Sequence, residues 1–330
     1  MAAYTTIDDP ELYFQTKLYT GNGTDDRAIT LDGDENMQPD WVWIKERDDA
    51  NAHYIFDSVR GIDKQLQSNS TAAEYDYSGD ANRSLKSFTS DGFTLGTGAG
   101  VNGDGELFVA WNWKKQAGVF DIQTYTGNGS ARTISHNLGA VPKMMIIKKR
   151  NTTAPWSVGH ASLGANQVLE LNETDAVATD ATYWNNTRPT SSVFTVGTDG
   201  NQNTDGHTYV IYLFGNKQGV SKSASYTGNG NADGTFVYTG FKPAFVMIKI
   251  TDNASQDWFV LDNKRSPFNL VDDSLAPNQT DAEYTSEANL DFTAQGFKLR
   301  MTSIRVNGSG NNYIYMAFAE NPFVTSTGVP

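Results

Sequence analysis

The residues of this chain that could do chemistry are four histidines, 38 carboxylates and seven tryptophans. His53, His136, His160 and His207 show neither H-x-x-x-H nor H-E-x-x-H spacing, the patterns that put two imidazoles on one helix face around zinc. Two acidic turn segments offer oxygens to calcium: Asp32-Gly33-Asp34-Glu35 and Asn102-Gly103-Asp104-Gly105-Glu106. Neither completes a calcium-binding loop, and Asp and Asn in such places ordinarily make Asx-turns. A glycosidase needs two carboxylates across a cleft, and no spacing selects a pair, Glu46 and Glu74 included. His53, Asp57 and Ser58 supply the residue types of a hydrolase triad, but no Gly-x-Ser-x-Gly surrounds Ser58. With no cysteine, thiol chemistry is excluded. The reading is therefore a non-enzyme, with no catalytic residue, metal or cofactor assigned.

The tryptophans divide into two groups. Trp41/Trp43 and Trp111/Trp113 are i, i+2 pairs, so each pair lies on one sheet face. Flat rings so placed either pack a core or stack on sugars. The corresponding residues of later repeats, Met144, Ile146, Phe245 and Met247, are ordinary core types, which favours a core. Trp184 sits in the loop Tyr183-Trp184-Asn185-Asn186-Thr187 with no strand partner. Tyr183, Trp184 and Asn185 are the residues expected to touch a receptor or glycan.

The elements that must position these residues form a threefold repeat of about 100 residues. Tyr-Thr-Gly-Asn-Gly occurs at Tyr19, Tyr125 and Tyr226. Each unit then has a proline six residues before a lysine with an apolar run between: Pro39 to Lys45, Pro142 to Lys148, Pro243 to Lys249. An aromatic-led run follows, then a Phe-containing stretch, then a closing aromatic strand: Leu107 to Trp113, Tyr209 to Phe214, Tyr313 to Phe318. The runs are short, β-branched and aromatic, and bounded by Gly, Asn, Asp or Pro, as strands are. Both faces of Tyr209–Phe214 are apolar, which predicts a central strand covered on each side. The expected fold is all-β, three tandem β-sandwich or jelly-roll-like domains at 18–116, 119–218 and 221–330, arranged as separate beads.

Lys plus Arg number 25 against 38 Asp plus Glu, a net charge of −13. That argues against nucleic-acid partners, which need a basic face, and against an anionic membrane surface. No run approaches 18 apolar residues, so no membrane insertion is expected. The N-terminus lacks the basic and apolar regions of a secretory signal. Residues 1–17 precede the repeat, with Asp9 placed to cap a short helix that begins at Pro10. Their apolar set, Tyr4, Ile7, Leu12, Tyr13 and Phe14, reads as an attachment arm.

Several of these segments resemble a family. The Tyr-Thr-Gly-Asn-Gly openings, Pro39-Asp40-Trp41-Val42-Trp43-Ile44-Lys45, Ser87 to Gly96 and the ending Tyr313 to Phe323 are similar to repeats in tail-fibre-like virion proteins of marine bacteriophages, notably cyanophages. The resemblance implies a virion structural protein, made in the host cytoplasm and carried on the particle as a tail fibre, tail appendage or capsid-surface fibre. Its implied partners are other virion proteins and a host surface glycan or protein receptor. By the same analogy it is a homo-oligomer, a trimer. The alternatives are an array of carbohydrate-binding modules or a virion-borne polysaccharide-degrading enzyme. Unit two departs most, with Val-Pro-Lys for Gln-Pro-Asp and no Ser-Asp-Gly-Phe.

Overall fold

The structure is a computed structural model that describes residues 7, 9–80 and 84–320. The chain is all-β, and every strand pairing among the described residues is antiparallel. Each unit is built on one strand order. The opening strand (Phe14–Thr20, Phe120–Thr126, Ser221–Thr227) pairs with the closing strand (Leu107–Trp113, Thr208–Phe214, Asn312–Ala319). The closing strand pairs in turn with the proline-to-lysine strand (Trp41–Glu46, Met144–Lys149, Pro243–Ile250). Beyond it come the aromatic-led strand (Tyr54–Asp57, Trp156–His160, Phe259–Asp262) and two outer strands. A small sheet closes over one face of this large sheet in units one and two. In unit three the long strand Tyr284–Thr293 joins the two into a single eight-stranded sheet.

The repeated pentapeptide is a docking joint. Its first glycine lets two backbones touch: a Cβ on Gly21, Gly127 or Gly228 would lie 1.8, 2.1 or 2.4 Å from a carbonyl oxygen. Its second glycine takes positive φ, at 63°, 71° and 63° for Gly23, Gly129 and Gly230. Each joint closes on a fully buried asparagine. Asn102, Asn203 and Asn307 accept from the N–H of Asn22, Asn128 and Asn229 at 3.1, 3.0 and 3.1 Å. Their amide groups also donate to nearby backbone carbonyls. Asn102 is thus committed to the fold, which removes it from the calcium segment read in the sequence.

The proline-to-lysine strand is central and buried throughout, as its composition predicts. Its two faces serve different cores. Val42 and Ile44, Met145 and Ile147, and Val246 and Ile248 face their own sandwiches. Trp41 and Trp43, Met144 and Ile146, and Phe245 and Met247 face one core that all three units share. Trp113, Phe214 and Phe318 occupy equivalent closing-strand positions. Their rings meet edge-on, with centroids 5.7–6.5 Å apart. Three equivalent residues in mutual contact mark a pseudo-threefold axis inside one chain.

The units are therefore not beads. The accessible surface is 12168 Å². Three separate bodies of this total mass would expose about 18,000 Å² and one body about 13,400 Å². The shared core accounts for the difference, and it holds the tryptophan pairs, each at most 1% exposed.

The N-terminal segment joins the same body. Asp9 caps the short turn Pro10–Leu12 as expected, accepting from the Glu11 N–H at 2.9 Å. Phe14 to Lys17 belong to the opening strand, which corrects the boundary drawn at residue 17. Ile7 and Phe14 are buried in the shared core, and Tyr13 packs partly buried against it. Phe14 stacks on Phe318 of unit three, centroids 5.0 Å apart. Four of the five residues assigned to the arm are thus seated in or beside the body: Ile7, Tyr13 and Phe14 in this way, and Leu12 half-buried in the short turn. Tyr4 lies outside the described residues.

Candidate functional site

The unit-to-unit junctions hold most of the buried charge. At the junction of units one and two, Arg60 is fully buried and ion-pairs with Asp57 and, at 2.9 Å, with Glu74. Glu74 also takes both arms of Arg150 from unit two, at 2.9 and 2.8 Å. The Tyr212 hydroxyl of unit two donates to Asp57 at 2.8 Å. The junction of units three and one repeats the arrangement with Arg265, Asp262, Glu283 and Arg47. There the Trp111 indole donates to Asp262 at 2.9 Å. At the junction of units two and three the equivalent positions hold His160, Leu163, Val177, Thr251 and Met316.

The repeated lysine serves the same joints. Lys148 donates to the Thr71 carbonyl of unit one at 2.9 Å, and Lys249 to the Thr174 carbonyl of unit two at 3.0 Å. Burial pulls the Lys148 amine down to about 7 and those of Lys45 and Lys249 to about 8.

The residue types of a triad do not assemble. Asp57 is held by Arg60, and Ser58 donates to Asp40 at 2.6 Å. His53 lies fully buried and accepts from the Trp43 indole at 3.0 Å. Glu106 of the second acidic segment does meet Glu46 and Asp48, with carboxylate oxygens within 4.8 Å. The Glu46 charge, foremost, raises the Glu106 carboxyl above its usual range. Asn51 donates to Glu46 at 2.9 Å, and the Leu107 N–H donates to Asp48 at 3.0 Å, so both partners already serve the local fold.

A cavity of about 250 Å³ lies in unit two. Beside it this unit breaks the repeat. Gly159 stands where the aromatic-led strands of units one and three carry buried Phe56 and Leu261. A four-residue helix, Ala181–Trp184, turns the Trp184 ring into the vacated space, so a Cβ on Gly159 would sit 2.9 Å from that ring. Asn185 and Asn186 both take left-handed φ of 51° to end the helix. Thr187, Arg188 and Pro189 then join the cavity lining. Met145, Val141 and Pro142 are apolar walls, with Lys143 and Gln167 as further polar lining.

Trp184 is 3% exposed, so it is a cavity wall and not the open loop platform expected from the sequence. Its indole N–H donates to the Gln167 carbonyl at 3.0 Å. Tyr183 is likewise buried; Asn201 donates to its hydroxyl at 2.9 Å, and burial pushes that hydroxyl up to about 12. Asn185 is exposed. The structure thus brings Trp184 to a cavity, seats Tyr183 beneath it and leaves Asn185 on the surface. Sequence reasoning missed Lys143, Arg188 and Gly159. A glycine inside a strand, in Trp156-Ser157-Val158-Gly159-His160, was the available signal.

A family model described as a domain of unknown function, DUF7483, matches residues 9–322, and the chain belongs to that family. The match spans all three units as one domain. Neither a curated protein nor a solved structure matches the chain.

Proposed function

We propose that this member of the DUF7483 family is a structural component of a bacteriophage particle, an appendage that contacts the host cell surface. The observation that supports it is the internal threefold axis at Trp113, Phe214 and Phe318. One chain supplies three equivalent sandwiches around that axis, a block suited to docking on a threefold assembly. The repeated residues that resemble phage fibre proteins serve here as joints between backbones, which fits a structural task. In this reading the threefold character expected of a homotrimer is already carried by a single copy. Particles purified by density gradient and digested for mass spectrometry should contain this chain in fixed ratio to the tail or capsid proteins. Abundance in the lysate with absence from the particle would overturn the proposal. Light scattering of the purified protein decides whether copies associate further.

A further inference from the structure

We propose that the unit-two cavity is a binding site for a small saccharide residue that carries a carboxylate, such as a terminal uronic acid. The inference rests on the cavity alone and stands apart from whether the chain is borne on a particle. Three observations carry it. The volume of about 250 Å³ is below the usual range for drug-sized ligands and suits a single ring. The lining joins an indole and a thioether wall, Trp184 and Met145, to hydrogen-bonding groups of Gln167 and Thr187, which suits a body with one apolar face and a polar rim. The charged side chains in that lining are Lys143 and Arg188, with no carboxylate beside them.

The charge is notable against a chain at −13. Among the described residues, neither Lys143 nor Arg188 has a carboxylate within ion-pair distance. Arg188 instead donates to the backbone carbonyls of Leu163 and, at 3.4 Å, His160, which orients its guanidinium across the cavity edge. An oriented guanidinium with no acid of its own is a ready partner for a carboxylate. Two consecutive left-handed asparagines hold this loop, and such backbone costs energy where it is not needed. Units one and three carry buried Phe56 and Leu261 where unit two has Gly159 beneath the Trp184 ring.

The test is titration calorimetry of the full chain with galacturonate, galactose and benzoate. Galacturonate should bind saturably, and galactose and benzoate at least about tenfold more weakly. Arg188→Ala and Lys143→Ala should each weaken galacturonate by about tenfold while the chain still unfolds in one cooperative thermal transition, since Arg188 is exposed and Lys143 half-buried. Gly159→Leu, which restores the residue of unit three, should abolish binding. Should that variant misfold, the two charge variants carry the test. Equal affinity for galactose would overturn the carboxylate assignment, and equal affinity for benzoate the saccharide assignment. No saturable binding of any probe, or binding indifferent to both charge variants, would overturn the site.

Discussion

Two kinds of joint hold the three units together. The joints of units one with two and three with one bury an Arg–Asp pair beneath a bridging glutamate and a second arginine. The joint of units two and three holds His160, Leu163, Val177 and Thr251 at those places, yet keeps the same backbone contacts. The Val177 N–H meets the Thr251 carbonyl at 2.8 Å, as Glu74 meets Arg150 and Glu283 meets Arg47 at 2.7 Å. The Trp258 indole reaches the Glu170 carbonyl across the joint at 3.0 Å, as Trp156 reaches Gln67 at 2.9 Å. The ring thus closes at one joint in three without an arginine–carboxylate cluster, with the Lys249 amine on the Thr174 carbonyl as its charged contact. The ion clusters are one solution to filling a polar slot, and burying charges carries a desolvation penalty that apolar packing avoids.

The largest effect should come from breaking a cluster in half. Arg60→Leu leaves Asp57 and part of Glu74 buried without their cation, and should cost about 3–5 kcal/mol. Transplanting the whole third-joint set, Asp57→His, Arg60→Leu, Glu74→Val, Arg150→Thr and Tyr212→Met, should cost less than Arg60→Leu alone. Urea unfolding of both variants checks the ordering. A transplant less stable than the single variant would show that the two kinds of joint are not interchangeable.

The sandwich interiors offer a second comparison. Ile44, Ile147 and Ile248 are equivalent, fully buried, and face the separate cores. Truncation to alanine should cost about 2–5 kcal/mol at each. The loss should be smallest at Ile147, because unit two already holds a cavity into which neighbours such as Met145 can shift. Equal losses at all three would mean that the cavity walls are rigid.

The strands were legible because each run is short, apolar and bounded by turn residues. The joints were not, because both faces of the central strands are equally apolar. Trp41 and Val42 read alike as buried, although one packs on other units and the other within its own. The Asp-x-x-Arg spacing at 57/60 and 262/265 was visible, but its meaning depends on Tyr212 and Trp111, more than a hundred residues away from their partners. The repeated lysine was the clearest overlooked signal. A charge recurring at the end of a fully buried strand must find carbonyls to receive it, and here two of the three find them across a joint. Trp184 was singled out as unpaired, but the space that receives it was made by the missing side chain of Gly159.

Those lysines read the joints through pH, with no side chain deleted. Burial lowers all three, to about 7 at Lys148 and about 8 at Lys45 and Lys249. The unfolded chain holds these protons up to its ordinary lysine range near 10.4. Between about pH 7 and that range the unfolded state binds more protons than the folded one, so stability rises with pH. Below that window both states are protonated and the contribution is flat. Above about pH 10 the sign reverses. Burial holds the hydroxyls of Tyr19, Tyr125 and Tyr226 well above their ordinary range, so the folded state keeps protons that the unfolded state sheds. The joints should differ within this profile. Lys45 sits among Glu46, Asp281, Asp49 and Asp48, which favour its charge, whereas burial alone acts on Lys148. Urea midpoints from pH 6 to 10 should therefore climb to a maximum near pH 9–10. Lys148→Met should remove more of the climb than Lys45→Met, at the expense of the donor to the Ala154 carbonyl, while the Thr71 carbonyl keeps the Ala154 N–H at 2.9 Å. A midpoint that stays level from pH 7 to 9 in the unmodified chain would show that the carbonyl bonds offset burial fully and hold these amines as ordinary lysines.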